Sequence, residues 1–209
     1  MAHCVEHLPG VIILGAGASS RMGRPKLLLP WGQTTVVGHL ISQWCQLRAA
    51  QIALVCAAGD VNLQAELDRL GFPKRDRIFN PAPERGMFSS IQCAARWDGW
   101  KPQLTGWVIT LGDQPQVRLE TLRSLLDFKA AHPGQICQPS YGGRPKHPVI
   151  LPRPEFELLK ETRVENLKLF LQSRAHLVAL LPLDDPGLAL DIDRPENYDQ
   201  AVRLYLRRE

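Results

Sequence analysis

Val11-Ile12-Ile13-Leu14-Gly15-Ala16-Gly17-Ala18-Ser19-Ser20-Arg21-Met22-Gly23-Arg24-Pro25-Lys26 is the stretch on which the reading of the fold turns. Val11 to Leu14 is a short apolar run, mostly β-branched, that stops at Gly15. Such a run predicts a strand buried on both faces, as strands of parallel sheets are. The residues from Gly15 onward are small and glycine-containing, then basic, which predicts a loop at the strand's carboxyl end.

The same alternation continues along the chain. Residues 34 to 48 carry Val36, Val37, Leu40, Ile41, Trp44, Cys45 and Leu47 at helical spacing. Ile52 to Cys56 returns to a strand pattern, and Val61 to Leu70 predicts a short helix stopped by Gly71. Arg77 to Phe79 predicts a strand, residues 87 to 97 a helix, Gly106 to Leu111 a buried strand, and Leu119 to Ala131 a helix ending before Pro133. The second half is less regular. Ile136 to Gln138 and Val149 to Leu151 predict strands around the loop Tyr141 to His147, Leu177 to Leu183 a further strand, and residues 164 to 173 and 196 to 206 helices. Strands alternating with helices predict a Rossmann-like, three-layer α/β domain, a mostly parallel sheet with helices on both faces. Such sheets bind ligands at the carboxyl ends of their strands.

Composition bounds the answer without choosing it. The 209 residues are 44% hydrophobic and 22% charged, which fits one globular domain and argues against a disordered or fibrous chain. The apolar runs at residues 11–18 and 52–58 fall short of the ~20 residues a membrane helix needs, so no membrane association is expected. The 25 Lys and Arg against 21 Asp and Glu give +4. That excess is too small to mark a nucleic-acid binder, yet it suits a pocket that holds phosphates. Cys4, Cys45, Cys56, Cys93 and Cys137 form no CxxC pair, so neither a disulfide framework nor a zinc site is expected. A reducing, cytoplasmic setting fits best. Glu6 and the absence of Lys or Arg before the first apolar run argue against a secretory leader. The histidines form no HExxH motif, and the tryptophans are expected in the core.

Several loops carry residues suited to chemistry. In the first, glycines after a buried strand let backbone N–H groups approach an anion. The dinucleotide fingerprint fails, because Ser20 stands where its last glycine belongs, and the P-loop fails at Pro25-Lys26-Leu27. What remains is a glycine loop followed by Arg21 and Lys26, cations able to neutralise a triphosphate and its departing pyrophosphate. A tight turn with solvated basic residues is the plainer alternative. The second loop is Leu111-Gly112-Asp113-Gln114-Pro115-Gln116-Val117, where Asp113 either holds a hard divalent cation or caps the following helix. The third is Asp191-Ile192-Asp193-Arg194-Pro195-Glu196-Asn197-Tyr198. In an extended stretch Asp191 and Asp193 point the same way and could share one cation, and Asp193 could instead favour a helix start. Between these lie Asn80-Pro81 and Gly86 to Ile91, whose hydroxyls and amides suit an anion or ribose, or ordinary capping.

The string Leu14 to Lys26 resembles the L-A-A-G-x-S-x-R-M-G-x-x-K signature of the nucleotidyltransferases that include the molybdenum cofactor cytidylyl- and guanylyltransferases, with Gly15 in place of the first Ala. Leu111 to Val117 resembles L-G-D-x-P-x-V of the cytidylyl branch. Residues 191 to 198 resemble D-I-D-T-P-E-D-Y, with Arg194 and Asn197 as departures. The Asn80 to Ser90 stretch is similar to the family's N-x(n)-G-M-x-x-S segment, and Tyr141 to His147 more loosely to the loop ending G-H-P-V, with Lys146 replacing the glycine.

The resemblance implies one domain over residues 1–209, its nucleotide-binding half about 10–118 and its acceptor-binding half about 119–209. It implies nucleotide contacts from Leu14, Gly15, Ala16, Gly17, Ser19, Ser20, Arg21, Lys26, Asn80, Gly86 and Ser90. It implies catalysis by Arg21, Lys26 and Asp113, and Mg²⁺ held by Asp113 with Asp191, Asp193 or both. Gln114 and His147 become acceptor contacts, although a loop histidine can also be merely solvated. The implied reaction transfers CMP from CTP to molybdenum-bound molybdopterin, a cofactor destined for a recipient molybdoenzyme. Ala16 favours CTP over GTP. Guanylyl or other nucleotidyl transfer to a different phosphorylated acceptor, and a non-catalytic molybdenum cofactor carrier or chaperone, are the alternatives.

Overall fold

Along the first strand, alternate side chains leave for opposite faces of the sheet: Val11 and Ile13 join one core, Ile12 the other, and all are fully buried. This is the consequence of a period of two in a strand covered on both sides. The computed structural model describes residues 9–17 and 21–206. Its strands are β1 (Gly10–Leu14), β2 (Pro30–Trp31), β3 (Thr34–Thr35), β4 (Gln51–Ala57), β5 (Arg77–Asn80), β6 (Gly106–Leu111), β7 (Ile136–Tyr141), β8 (Arg144–Pro145), β9 (Val149–Pro152) and β10 (Val178–Pro182). Its α-helices are α1 (Val36–Gln46), α2 (Val61–Arg69), α3 (Met87–Arg96), α4 (Leu119–Ala131), α5 (Arg153–Leu158), α6 (Leu167–Ser173) and α7 (Pro195–Leu206).

The main sheet has eight strands in the order β10-β7-β9-β6-β1-β4-β5, with β8 paired to β7; β2 and β3 form a separate hairpin. Pairing is parallel at β1–β4, β1–β6, β4–β5 and β7–β10, and antiparallel where β9 lies between β6 and β7. Trp44 of α1, Leu67 of α2, Leu125 of α4 and Ala201 of α7 cover one face. Ile91 of α3, Phe156 of α5 and Phe170 of α6 cover the other. The three-layer expectation holds.

Local chemistry sets the helix starts. Thr35 accepts a hydrogen bond from the Gly38 amide, Asp60 from Leu63 and Asn166 from Leu169. The helix expected from residue 164 therefore begins at Leu167, behind its Asn166 cap. Helix α5 is hidden in the sequence by Pro152 and Pro154, which read as breakers, although proline is well tolerated in a helix's first turn. Trp31, Trp44 and Trp107 are buried, and Trp107 stacks on Phe156 with ring centroids 4.3 Å apart, so the tryptophans serve the core as expected.

The topology also fixes where a ligand can sit. From β1 the chain adds β4 and β5 on one side, then crosses back to place β6 on the other. That reversal opens a crevice at the carboxyl ends of β1 and β6, where open α/β sheets take their ligands.

Candidate active site

The loops leaving β1 and β6 meet in that crevice. The Gly112 amide donates to the Leu14 carbonyl at 3.1 Å. A Cβ on Gly112 would stand 2.5 Å from that carbonyl oxygen, so only glycine lets the two strand ends approach this closely. The cavity between them has a volume of about 380 Å³. Leu14, Gly15, Ala16, Gly17 and Lys26 line it from the first loop and Leu111, Gly112 and Asp113 from the second. Pro83, Gly86, Met87 and Ser90 line it from the start of α3, and Asp191 and Asp193 from the segment before α7. Gly86 has φ +88°, a conformation glycine adopts without strain, and no side chain caps the helix behind it. The first turn of α3 is thus presented to the cavity, an arrangement suited to anions.

A charged cluster closes one side. The Lys26 ammonium lies 2.5 Å from Asp193 Oδ1 and 3.3 Å from Asp113 Oδ2, and Arg21 reaches Asp193 Oδ2 at 3.0 Å. The two carboxyls respond oppositely. Hydrogen bonding from Lys26 holds Asp193 below the usual carboxylate range, whereas burial pushes Asp113 up, aided by the charges of Asp191 and Asp193 and opposed by Lys26. Asp191 Oδ1 accepts from the Gln114 side-chain amide at 2.8 Å. An extended stretch would set Asp191 and Asp193 on one face. The backbone instead turns, the Asp193 amide donating to the Asp191 carbonyl at 2.8 Å, and both carboxyls still reach the cavity. Among the described residues, no three His, Cys, Asp or Glu side chains are gathered into a ready-made metal cage.

Other expected residues stand just outside the wall. Arg21 is mostly exposed at the rim. Asn80 is buried; its Oδ1 accepts from the Ala82 amide and its Nδ2 donates to Ser89 and Ser90 hydroxyls at 2.8 and 3.0 Å, so it orients Ser90 toward the cavity. Gln114 is buried behind Asp191. His147 is not a solvated loop side chain. Its Nδ1 is buried without a hydrogen-bond partner, and burial pushes the imidazole pKa down, opposed by a backbone bond with Ile109 and the charge of Asp191. It lies beside the strand end from which Asp113 departs, but it does not line the cavity. Ser19 and Ser20 lie outside the described residues. Pro83 and Met87 are wall residues that sequence reasoning missed; the turn signal Asn80-Pro81-Ala82-Pro83 beside the helix start was the available clue.

Residues 11–179 match the MobA-like NTP transferase domain. The chain belongs to this family. It is thus a nucleotidyltransferase, and the crevice bearing Lys26 and Asp113 is where the family's fold presents its strand ends. Among curated relatives of this MobA-like chain, the Escherichia coli (strain K12) molybdenum cofactor cytidylyltransferase is 26% identical over 195 residues, covering 93% of this chain and 95% of the relative. The Bacillus subtilis (strain 168) purine catabolism protein PucB is likewise 26% identical, covering 92% and 95%. Among solved structures, Rv0371c from Mycobacterium tuberculosis H37Rv superposes with a TM-score of 0.77 at 29% identity, covering 93% of this chain and 98% of that one. A second structure of Rv0371c is a complex with manganese, so a similar protein binds a divalent metal. No helix among the described residues is long and apolar enough to cross a membrane.

Proposed function

We propose that this chain transfers CMP from CTP to the terminal phosphate of molybdenum-bound molybdopterin, releasing pyrophosphate. The observation that carries the reading is the shared Lys26: one ammonium bridges Asp113 and Asp193 across the mouth of a glycine-floored cavity at the switch point of the sheet. An acceptor phosphate oxygen attacks the α-phosphorus, the α–β P–O bond breaks, and the electron pair leaves with pyrophosphate. No protein base is required, because a phosphate nucleophile is already ionised. The first-loop amides and the start of α3 grip the nucleotide. Lys26 and Arg21 turn from their carboxylates to the phosphates and offset the charge that gathers on the leaving group. Ser90, whose hydroxyl oxygen already accepts from Asn80, has its proton to give to a carbonyl or ring nitrogen of the base.

Three carboxyls on one wall are the oxygen donors that a hard cation takes, and Mg²⁺ completes its shell with substrate phosphates rather than with a protein cage. Asp113, with Asp191 or Asp193, would hold it, and it would supply charge neutralisation between the two reacting phosphates.

The CTP preference rests on Ala16, which lines the cavity, and on the cytidylyl-like wording of residues 111–117. The E. coli relative named for this reaction supports the acceptor. PucB, matched at the same identity, is named for purine catabolism and not for the molybdenum cofactor, which supports a second reading in which the family's transfer serves a different acceptor. Pyrophosphate release from CTP, GTP, ATP and UTP, with mass detection of the product formed from molybdenum cofactor, tests both. A clear GTP preference sinks the cytidylyl assignment. Unchanged cofactor delivery by Asp113→Ala, with no pyrophosphate formed, would leave a carrier instead.

A further inference from the structure

Asp191 and Asp193 belong to a segment without regular strand or α-helix structure, yet they stand beside Asp113 on one wall of the cavity. Gln116, fully buried in the loop between β6 and α4, spans the gap. Its side-chain amide donates to the Gly187 carbonyl at 2.9 Å and also to the Leu190 carbonyl. Leu190 C=O and Asp191 N–H belong to one rigid peptide plane, so gripping that carbonyl fixes the direction in which Asp191 starts. Two residues on, the Ile192 amide donates to the Asp113 carbonyl at 3.0 Å. One attachment leaves a segment free to swing; a second on the preceding peptide removes that freedom. Packing agrees: a Cβ on Gly187 would stand 2.7 Å from the Gln116 carbonyl oxygen, so backbone lies on backbone here.

We propose that Gln116 is a positioning residue that holds Asp191 and Asp193 beside Asp113 by clamping two carbonyls of the segment before them. Glutamine suits the place because two acceptors face it and its NH₂ offers two donors. The kinetic consequence rests on the nucleotidyl-transfer reading; the clamp itself does not.

Gln116→Leu removes the donors, and Gln116→Glu keeps the shape while turning a carboxylate toward two carbonyls. Gly187→Ala attacks the same contact from the other side and serves if a Gln116 variant fails to fold. Hydrogen exchange on the full chain should speed roughly tenfold or more at residues 187–193, the scale of one or two lost hydrogen bonds, with α1 to α3 unchanged. The Mn²⁺ concentration that half-saturates pyrophosphate release should rise about tenfold with KM for CTP unmoved, and Gln116→Leu should add nothing to that response in an Asp191→Asn, Asp193→Asn background. Phe170→Ala, a core change on the opposite face of the sheet from Leu188, Leu190 and Ile192, should lower Tm without moving the metal response. Unchanged protection of residues 187–193, exchange raised evenly over the chain, or an equal metal shift in Phe170→Ala overturns the proposal. If the unaltered protein releases no pyrophosphate from any nucleotide, the functional reading fails and the exchange pattern still decides the clamp.

Discussion

Lys26 Nζ lies 2.5 Å from Asp193 Oδ1, joining residues 167 positions apart. With Asp113 on its other side, Lys26 is the counter-charge that lets two carboxyls share one wall. Lys26→Met leaves them facing each other, which should cost about 1–3 kcal/mol of stability, measured by urea unfolding. Pyrophosphate release should fall by about a hundredfold or more. Arg21→Ala removes a mostly exposed ion pair and should leave Tm nearly unmoved while slowing turnover.

Asp113→Asn should separate function from stability. Burial and two neighbouring carboxylates already disfavour the Asp113 charge, so its loss should leave Tm at or above the parent value. Turnover should fall to background. A large drop in Tm would show that Asp113 serves the fold.

His39 predicts an acid-side loss of stability. Packed against Trp31 and Tyr205, its imidazole is pushed down by burial from 6.5 to about 4, a shift that a backbone hydrogen bond to Pro115 only partly opposes. Between those values the unfolded chain binds a proton that the folded chain does not, so stability is present above pH 6.5 and declines as pH falls toward 4. The total is about 3 kcal/mol. His39→Phe, which keeps a ring between the same neighbours, should flatten that part of the profile in urea titrations at successive pH values.

Base choice should respond to the cavity wall. Ser90→Ala removes a donor held in place by Asn80 and should raise KM for CTP by about tenfold. Ala16→Gly removes the methyl and should narrow the gap between CTP and GTP. Competition between the two nucleotides in one reaction reads both.

Much of this was legible because it depends on local signals. The run Val11 to Leu14 ending in glycine, and its counterpart Gly106 to Leu111, announce buried parallel strands. The residues beyond a strand end in such a sheet are bound to reach its crevice. The loops bearing Lys26 and Asp113 could therefore be placed at one edge of the sheet from sequence, although their ion pair could not. The role of Gln116 could not, because it depends on carbonyls more than 70 residues away and on no property of its own neighbourhood. The turn at Ile192 was missed for a related reason: its amide is drawn to the Asp113 carbonyl, a long-range bond that overrides the extended preference of the stretch. Helix α5 and the β2–β3 hairpin are too short for periodicity to register.

The reversed strand β9 has an evolutionary consequence. Because it runs against β6, its beginning lies at the rim where β6 ends, which brings the 142–147 hairpin and His147 to the same edge as the glycine loop, on the opposite flank of Asp113. Apart from Asp191 and Asp193, which reach the first-loop flank from near the end of the chain, one flank is written by residues before 118 and the other by residues after 135. Mutations in the hairpin flank can therefore accumulate without disturbing the glycine loop, and on the proposed reading a lineage could exchange what it modifies while keeping what it modifies with.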